Sequence, residues 1–287
     1  MKKMLLFILF VPLVVSCQNF GKLEVVADLP GTLKEVSGIE FYPNTTVVWT
    51  LNDSRNPPEL YAFDLNTHKI EKTIRLKGAS NIDWEDLTKN PDGTLYVGDF
   101  GNNRSSRTDL TIYHLANPNT VEKRRNEPKV TTFRYHDQIN FPPEEKDKCY
   151  DVESFIYLNE HFYLFTRNRA KKYDGTTKIY KLPALEGEQV ATFIGEIETC
   201  EDQSDCEITS AAISEEGKIA LLSYNKVWLI SEYTDDNFIS GKIEKIELEH
   251  SSQKESICFI NENRLFIADE RSHGEGRNLY VLDLTKD

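Results

Sequence analysis

A short polar box that opens onto an apolar strand recurs along this chain of 287 residues, and this recurrence limits the fold more than any other feature. The boxes are Glu35–Ile39, Asp83–Leu87, Asp151–Phe155, Glu207–Ala211 and Gln253–Ile257. Their third residues are 46 to 68 positions apart, which is too long for one rung of a solenoid. The spacing therefore predicts a repeat protein built from larger units.

Each box is followed by further strand patterns in a constant order. A second strand, a polar hairpin and a third strand recur, and the strands are rich in β-branched and aromatic residues. Units of this size and order are typical of four-stranded β-propeller blades. We therefore predict an all-β fold, a five-bladed β-propeller. A count of six blades is the alternative, because the stretch from Ala116 to Lys148 is a long insertion.

The last repeat lacks a fourth strand. In the other repeats we predict fourth strands at Lys69–Leu76, Val130–Tyr135, Val190–Ile197 and Ile243–Leu248. An unpaired edge in the last blade would be prone to aggregation. The alternating segment Lys22–Leu29 is expected to supply the missing strand and to close the ring.

The N-terminal residues predict a compartment. Lys2 and Lys3 precede an apolar run from Met4 to Val15, which is typical of a secretory signal and short for a membrane span. The sequence Val14-Val15-Ser16-Cys17 looks like the lipobox of bacterial lipoproteins, in which the cysteine becomes lipid-modified. We expect a signal peptide over residues 1–16, a tether lipidated at Cys17 over residues 17–21 and one propeller domain over residues 22–287.

The residues after Cys17 bear on the final location. Gln18 stands where an aspartate would resemble an inner-membrane retention signal, and no acidic run of the kind that resembles a surface-export signal follows. We therefore expect an outer-membrane lipoprotein that faces the periplasm and contacts the membrane through its lipid only.

Composition limits the partners and the cysteine chemistry. The chain has 34 basic and 47 acidic side chains and a net charge of −13, which disfavours nucleic acid as a partner. In an oxidising compartment, Cys200 and Cys206 flank one polar loop and are expected to form a disulfide. Cys258 lies in a strand and is predicted to be a buried thiol. Other pairings, including those with Cys149, stay open.

Topology predicts where the polar residues meet. In an antiparallel blade the first strand begins, and the second strand ends, on the same face of the disc. Ten carboxylates are therefore expected at one mouth of the central channel: Glu35, Asp53, Asp83, Glu85, Asp99, Asp151, Glu153, Glu207, Glu255 and Asp269. Such a ring would be destabilised by like-charge repulsion unless something compensates it.

The repulsion between these carboxylates can be compensated in two ways, by a bound cation or by contacts within the protein. Oxygen ligands without nearby His or Cys suit calcium or magnesium. The predicted metal ligands are Glu85, Asp99, Asp151, Glu153, Glu255 and Asp269. The predicted contacts to an organic ligand are Asn52, Asp53, Arg104, Arg167 and Arg271. In the architectural alternative the carboxylates accept hydrogen bonds from backbone N–H groups and pair with arginines.

The second repeat carries a resemblance to known proteins. Asp83-Trp84-Glu85-Asp86, followed by Gly98-Asp99-Phe100-Gly101-Asn102-Asn103-Arg104, resembles a signature of uncharacterised secreted bacterial β-propeller lipoproteins. The chain is more distantly similar to phytase-like, SMP-30/gluconolactonase and NHL-type propellers. This resemblance implies a divalent ion such as calcium, held by acidic residues at strand ends. It transfers no complete catalytic set.

Two functions compete on this reading. The favoured one is an envelope module that binds a divalent cation, a small polar or anionic ligand, or an envelope protein at the acidic mouth. The alternative is a calcium-dependent hydrolase of a phosphoester or lactone, with Glu85 or Glu153 as the base. Binding is preferred because no nucleophile or acid–base pair stands out. Of the six histidines, His273 is the one expected near the mouth, and its loop favours a plain hairpin.

Overall fold

The computed structural model describes residues 19–122, 125–272 and 274–286. In these residues the chain is almost entirely β-structure. The strands in chain order are β1 (Leu23–Asp28), β2 (Val36–Phe41), β3 (Val47–Asn52), β4 (Glu59–Asp64), β5 (Lys69–Leu76), β6 (Trp84–Lys89), β7 (Leu95–Asp99), β8 (Leu110–Leu115), β9 (Arg125–Asn126), β10 (Lys129–Tyr135), β11 (Asp151–Leu158), β12 (His161–Arg167), β13 (Thr176–Pro183), β14 (Gly187–Glu198), β15 (Ser210–Ile213), β16 (Ile219–Leu222), β17 (Lys226–Ser231), β18 (Lys242–Glu247), β19 (Lys254–Asn261), β20 (Arg264–Asp269) and β21 (Asn278–Asp283). The helical segments are α1 (Gln203–Cys206) and 3-10 turns at Glu145–Asp147 and Phe238–Ser240.

The strands form antiparallel runs of four. In order of pairing, the runs are β2-β3-β4-β5, β6-β7-β8-β10, β11-β12-β13-β14, β15-β16-β17-β18 and β19-β20-β21-β1. The first strand of each run follows or contains its polar box, and the predicted fourth strands are present as β5, β10, β14 and β18. The all-β prediction is thus confirmed, with strand ends that differ from the predicted ones by a few residues.

The N-terminal strand completes the last run. β1 pairs antiparallel with β21, with Leu23 opposite Leu282 and Asp28 opposite Asn278. The expected pairing of the segment Lys22–Leu29 is therefore confirmed. Without β1, the backbone N–H and C=O groups of β21 would form an exposed sheet edge.

The runs surround a central axis. Their first strands lie side by side in the order β2, β6, β11, β15 and β19, and β19 lies beside β2, so the ring is closed. The apolar core fills the spaces between neighbouring runs. In one such cluster, Phe41 and Val48 of the first run contact Phe266 and Val281 of the last. All of β2 is buried, whereas β18 on the outside is mostly exposed, as expected for propeller blades.

Two parallel pairings were not predicted, and the shorter of them adds β9 to the edge of β5 in the first run. β10 and β14, the outermost strands of the second and third runs, pair in parallel with Thr131 opposite Gly187. This joins the two runs into one eight-stranded sheet. The pairing covers two edges at once, but it depends on how neighbouring runs are placed. A local sequence pattern carries no such information.

The polar boxes contain β-bulges. In the β6–β7 ladder Trp84 pairs with Asp99 and Asp86 with Gly98, so Glu85 has no partner. Glu153 in β11 and Glu255 in β19 are skipped in the same way. In β2 the bulge spans Ser37 and Gly38. A bulge bends a strand and redirects the side chain of the extra residue, so the repeated third position is where each of these strands turns a side chain toward the channel mouth.

The cysteines and the termini complete the description. Cys200 and Cys206 are joined by a disulfide with their Cα atoms 5.6 Å apart, and Cys149 and Cys258 are free and buried. Residues 1–18, including Cys17 and the expected signal peptide, lie outside the described residues. Within the described part of the chain, no helix has the length and apolarity needed to cross a bilayer.

Candidate functional site

A polar cavity of about 250 Å³ opens at the mouth where the bulged residues emerge. Its walls carry the carboxylates Asp53, Glu85, Glu153, Glu255 and Glu270. They also carry the cationic side chains of Arg167 and Arg169 and the phenol of Tyr224. Acidic groups therefore outnumber basic groups around the cavity, as the sequence predicted for the mouth.

Three carboxylates form a compact group that we call the carboxylate cluster: Asp53, Asp83 and Glu85. One oxygen from each lies within 4.8 Å of the others. Asp53 follows β3, whereas Asp83 and Glu85 stand at the start of β6, so the cluster spans two runs. Asn81 holds the runs together here. Its amide Nδ2 donates to the carbonyls of Asn52 and Asp53, both at 2.9 Å, and its Oδ1 accepts from Trp84 N at 3.1 Å.

Compensation within the carboxylate cluster is uneven, since Asp53 accepts a hydrogen bond from Ser54 N and the charge of Arg107 acts on Asp83. Glu85 is 6% exposed, and its carboxylate accepts no hydrogen bond from any residue that the structure describes. Burial and then neighbouring carboxylates raise the pKa of Asp53 and that of Asp83 to about 6, against the lowering effects of the Ser54 N–H on Asp53 and of the Arg107 charge on Asp83. Burial and the charges of Glu153 and Asp53 also raise the pKa of Glu85 well above its ordinary value. These shifts reflect burial first, and repulsion between neighbouring carboxylates adds to it.

Gly101 lets the carboxylates come this close. A Cβ at this position would collide with the carboxylate of Glu85 and lie 2.6 Å from Asp83 Oδ2. The backbone of Gly101 itself is fixed, because its N–H donates to the carbonyl of Asp83 at 3.2 Å. Any larger residue would push the cluster apart, so the glycine is required by space.

A second group in the cavity pairs opposite charges, and we call it the arginine group: Arg167, Arg169 and Glu153. Arg169 Nη2 donates to Glu153 Oε1 at 2.9 Å, and Arg167 Nη1 donates to Oε2 at 3.4 Å. Arg167 also donates to Glu207 at 2.5 Å and to the Tyr224 hydroxyl at 3.1 Å. The carboxylate of Glu153 therefore has the arginine partners that Glu85 lacks.

The pKa of Glu153 reflects two opposing effects. Burial raises it and the charge of Arg167 lowers it, and burial prevails, so that the pKa is about 7. Glu270 behaves similarly, since burial and the charge of Asp53 raise its pKa to about 7. Two carboxyl groups with such values in one cavity could exchange protons at neutral pH.

Several predicted site residues lie elsewhere. Asp99, Asp151 and Asp269 are buried and do not line the cavity. Asp99 accepts from Asp83 N and Arg107, Asp151 from Asn102 N and Arg169, and Asp269 from Asn278 N and the Tyr280 hydroxyl. The carboxylate oxygens of these three residues accept hydrogen bonds that attach loops to strands. For these three residues the architectural alternative describes the contacts better than metal ligation does.

Three predicted ligand contacts are also outside the cavity lining. Asn52 is buried, and its side chain bonds to the backbone of Glu35 and Thr32. Arg104 and Arg271 are exposed. In the second run Arg107, and not Arg104, makes the buried ion pair, at 3.0 Å from Asp99. Of the predicted set, the structure brings Asp53, Glu85, Glu153, Glu255 and Arg167 together.

Further residues at the site were not among the predicted metal ligands or ligand contacts, although Tyr224 and Glu270 were expected at the mouth because each follows a second strand. Tyr224 donates to Glu255 Oε1 at 3.2 Å and links it to Arg167. Asp83 was expected at the mouth but not among the metal ligands. Glu270 follows β20 directly after Asp269, so its position at a second-strand end was the available signal. Asn81 precedes its box and carried no recognisable signal. His273 lies outside the described residues.

No family model and no curated protein matches the sequence. Solved structures do resemble the fold. A PQQ-bound aldose sugar dehydrogenase from Streptomyces coelicolor is 10% identical with a TM-score of 0.50, covering 91% of this chain and 98% of that chain. A gluconolactonase from Xanthomonas campestris is 11% identical with a TM-score of 0.43, covering 83% and 68%. The Cps50 (Swd1) β-propeller domain of Myceliophteria thermophila is 8% identical with a TM-score of 0.45, covering 92% and 100%.

At these identities the likeness concerns the fold alone. The all-β, propeller-like architecture agrees with the ring of first strands described above. Propellers host enzymes, binding modules and scaffolds alike, so the function has to be argued from the cavity.

Proposed function

We propose that this chain binds a divalent cation of the calcium class at the carboxylate cluster of Asp53, Asp83 and Glu85. The observation that carries the proposal is the position of Glu85. This carboxylate is more than nine-tenths buried, faces the cavity and has no donor among the described residues, while the oxygens of two further carboxylates lie within 4.8 Å. A hard cation would supply the missing positive charge.

The chemistry of the cluster favours calcium over transition metals. All its ligand atoms are carboxylate oxygens, and Ca²⁺ takes six to eight oxygen ligands in flexible geometry. Zinc sites generally draw on Cys and His, and the group that surrounds Glu85 contains neither. Three carboxylates leave coordination positions for water or for a ligand. The predicted role of Glu85 is therefore kept, and Asp53 and Asp83 join it as proposed metal ligands.

The remainder of the cavity supports a second binding element. Arg167 and Arg169 contribute N–H groups beyond those bound to Glu153, Glu207 and Asp151. A small polar or anionic ligand could contact the cation through its oxygens and these N–H groups at the same time. Such a ligand fits a cavity of about 250 Å³.

We further propose five blades and attachment at the bacterial cell envelope. The blade count is supported by the runs of four strands and by the closed order of their first strands. The envelope proposal rests on the lipobox-like sequence ending at Cys17. In that setting the protein is an outer-membrane lipoprotein whose mouth faces the periplasm and recognises a ligand or an envelope protein.

Hydrolysis is the second candidate function. It is favoured by one observation, the pKa of about 7 of Glu153, a carboxyl group in the same cavity as the carboxylate cluster. With a cation polarising a phosphoester or lactone, such a group could act as general base. Calcium-dependent turnover of a phosphoester or lactone panel that Glu153→Gln abolishes would support this candidate. A panel without turnover would leave binding alone.

The thermal stability of chelator-stripped protein tests the cation proposal. Calcium should raise the melting temperature, because an ion that binds the folded state at a hundredfold excess over its Kd stabilises it by about 2.7 kcal/mol. Glu85→Gln should fold and, in the absence of calcium, should melt no lower than the wild type. It should lose most of the rise in melting temperature that calcium causes in the wild type. The amide keeps the shape and removes one of the repelling charges.

Glu153→Gln is the matched comparison. This substitution breaks contacts to two arginines, so it should lower the melting temperature with and without calcium and leave the calcium gain largely intact. A melting temperature of the wild type that does not respond to calcium would contradict the proposed site. Equal responses of the Glu85 and Glu153 variants would remove Glu85 from it.

A further inference from the structure

The fourth positions of the boxes form a second polar group inside the channel, one residue beyond the mouth. They are Asp86, Ser154, Ser210 and Ser256, with Gly38 in the first box. The aspartate and the three serines are all 0% exposed. They stand on β6, β11, β15 and β19, which are neighbours in the ring of first strands. A buried polar residue at the same place in four strands requires a partner at the axis.

Asp86 reaches across the channel. Its Oδ1 accepts from Leu87 N at 2.9 Å and from Ser210 Oγ at 3.2 Å. Its Oδ2 accepts from Phe155 N and Ala211 N, both at 3.4 Å. One carboxylate thus contacts the second, third and fourth runs and lies close to the backbone that follows Ser154.

All four protein contacts of Asp86 are donors. Burial raises the pKa of the Asp86 carboxyl well above its ordinary value, and these four hydrogen bonds oppose that shift because they favour the ionised form. No lysine, arginine or histidine of the described chain makes an ion pair with Asp86 or appears among the charges that act on it. A buried charge without a counterion is strongly unfavourable.

Two hydroxyl groups at the same box position on neighbouring first strands are unpartnered. Ser154 Oγ and Ser256 Oγ are inaccessible to solvent and have no hydrogen-bond partner within the described chain. Ser210 Oγ accepts from Ile257 N at 3.1 Å, which places the residue after Ser256 next to the serine that contacts Asp86. The unused hydroxyl oxygens and the carboxylate without an ion-pair partner therefore stand at one level of the ring of first strands.

We propose that a small monovalent cation of the sodium class occupies the channel between Asp86 and the hydroxyl oxygens of Ser154 and Ser256. One carboxylate balances one positive charge, and the hydroxyl oxygens complete a hard ligand set. The first run contributes no side chain, because a Cβ on Gly38 would lie 2.8 Å from Leu87 N and 2.9 Å from the carbonyl carbon of Asp86. This site is separate from the proposed calcium site and would tie the inner strands together.

Melting temperatures in two salts test the proposal. Full-length wild-type protein is measured with chelator in sodium chloride and in tetramethylammonium chloride at equal concentration, since the larger cation cannot enter the channel. We expect a melting temperature about 2–4 °C higher in sodium, corresponding to about 1 kcal/mol for a domain of this size. Equal melting temperatures in the two salts would overturn the proposal.

Serine variants locate the ion. Ser154→Ala and Ser256→Ala should each lower the melting temperature in sodium and shrink the difference between the salts, whereas the exposed control Ser240→Ala should leave the difference unchanged. Without a bound ion, removing an unpartnered buried hydroxyl should raise the melting temperature in both salts, and that result would also overturn the proposal. Glu85→Gln should retain the sodium effect, which separates this site from the mouth. Asp86→Asn should lose the sodium effect. If that variant does not fold, the results for Ser154→Ala and Ser256→Ala decide whether the sodium site exists.

Discussion

At the scale of single residues, the same type of side chain has two different roles in this cavity. Glu85 and Glu153 occupy equivalent bulged positions and are both buried, at 6% and 4% exposure. Two arginines form ion pairs with Glu153, whereas no arginine of the described residues does so with Glu85. The second strand of the third run ends in Arg167, whereas that of the second run ends in Asp99. The residue that ends the neighbouring strand therefore decides between an internal ion pair and a candidate cation ligand.

The pH dependence of calcium stabilisation follows from these residues. The pKa values of Asp53 and Asp83 are about 6 in the folded protein, above their ordinary range. A raised folded-state pKa contributes stability below the unfolded-state pKa of about 4, and this contribution is lost as pH rises through about 6. Calcium replaces the lost protons. The gain in melting temperature on adding calcium should therefore increase from pH 5 to pH 8, as measured by differential scanning calorimetry.

A calcium effect without this pH dependence would exclude Asp53 and Asp83 from the calcium site. A calcium gain that is constant over this pH range, or that falls as pH rises, would mean that the ion binds groups already ionised at pH 5. Asp53→Asn provides the control, since removal of one titrating ligand should weaken both the gain and its dependence on pH.

At the scale of strands, the box encodes a bulge as well as a charge. The sequence repeat revealed the position that turns toward the mouth, because the third residue recurs at each first strand. It did not reveal which carboxylates stay free. Asp99 and Asp269 end strands as predicted, but their oxygens accept hydrogen bonds from the backbone N–H groups of Asp83 and Asn278, which stand next to or at the start of other strands. Loop conformation decides those contacts, and a strand pattern does not encode it. The parallel pairing of β10 with β14 escaped prediction for a similar reason, since it joins segments from different runs.

The closing strand gives a prediction at this scale. Leu23 of β1 is buried and packs with Tyr280 and Leu282 in one cluster, whereas Val25 is 40% exposed. Leu23→Ala should lower the free energy of unfolding by about 2–5 kcal/mol, and Val25→Ala should change it by less than about 0.5 kcal/mol. Deletion of Lys22–Leu29 should cause aggregation, because it exposes the edge of β21. Urea unfolding and light scattering measure these effects. Wild-type stability after the deletion would show that β1 does not hold the ring closed.

At the scale of the whole molecule, the outer surface and the mouth have separate functions in this account. The runs of strands build a closed scaffold, and the polar boxes place charged groups at one end of its channel. The chain carries an excess of acidic side chains, so a cationic partner or ion is favoured at long range as well as at the cluster.

The proposed anchor gives a prediction for the intact protein in a bacterial envelope. Cys17→Ala removes the thiol that would carry the lipid, so the protein should move from the membrane fraction to the soluble fraction after cell fractionation. Ser16→Ala keeps a small residue before the cysteine and serves as the matched control, which should remain with the membrane. Membrane association of the Cys17→Ala variant would indicate a different tether.

Calorimetric titration of calcium into chelator-stripped protein measures binding at the carboxylate cluster without relying on stability. We expect binding with heat at the mouth in the wild type and loss of that binding in Glu85→Gln. We also expect unchanged binding in Glu59→Gln, a variant that alters a carboxylate paired with Arg75 away from the cavity. Sodium is held constant throughout, so the channel site does not contribute. Absence of calcium binding to the wild type, or equal binding to wild type and Glu85→Gln, would contradict a cation site at the carboxylate cluster.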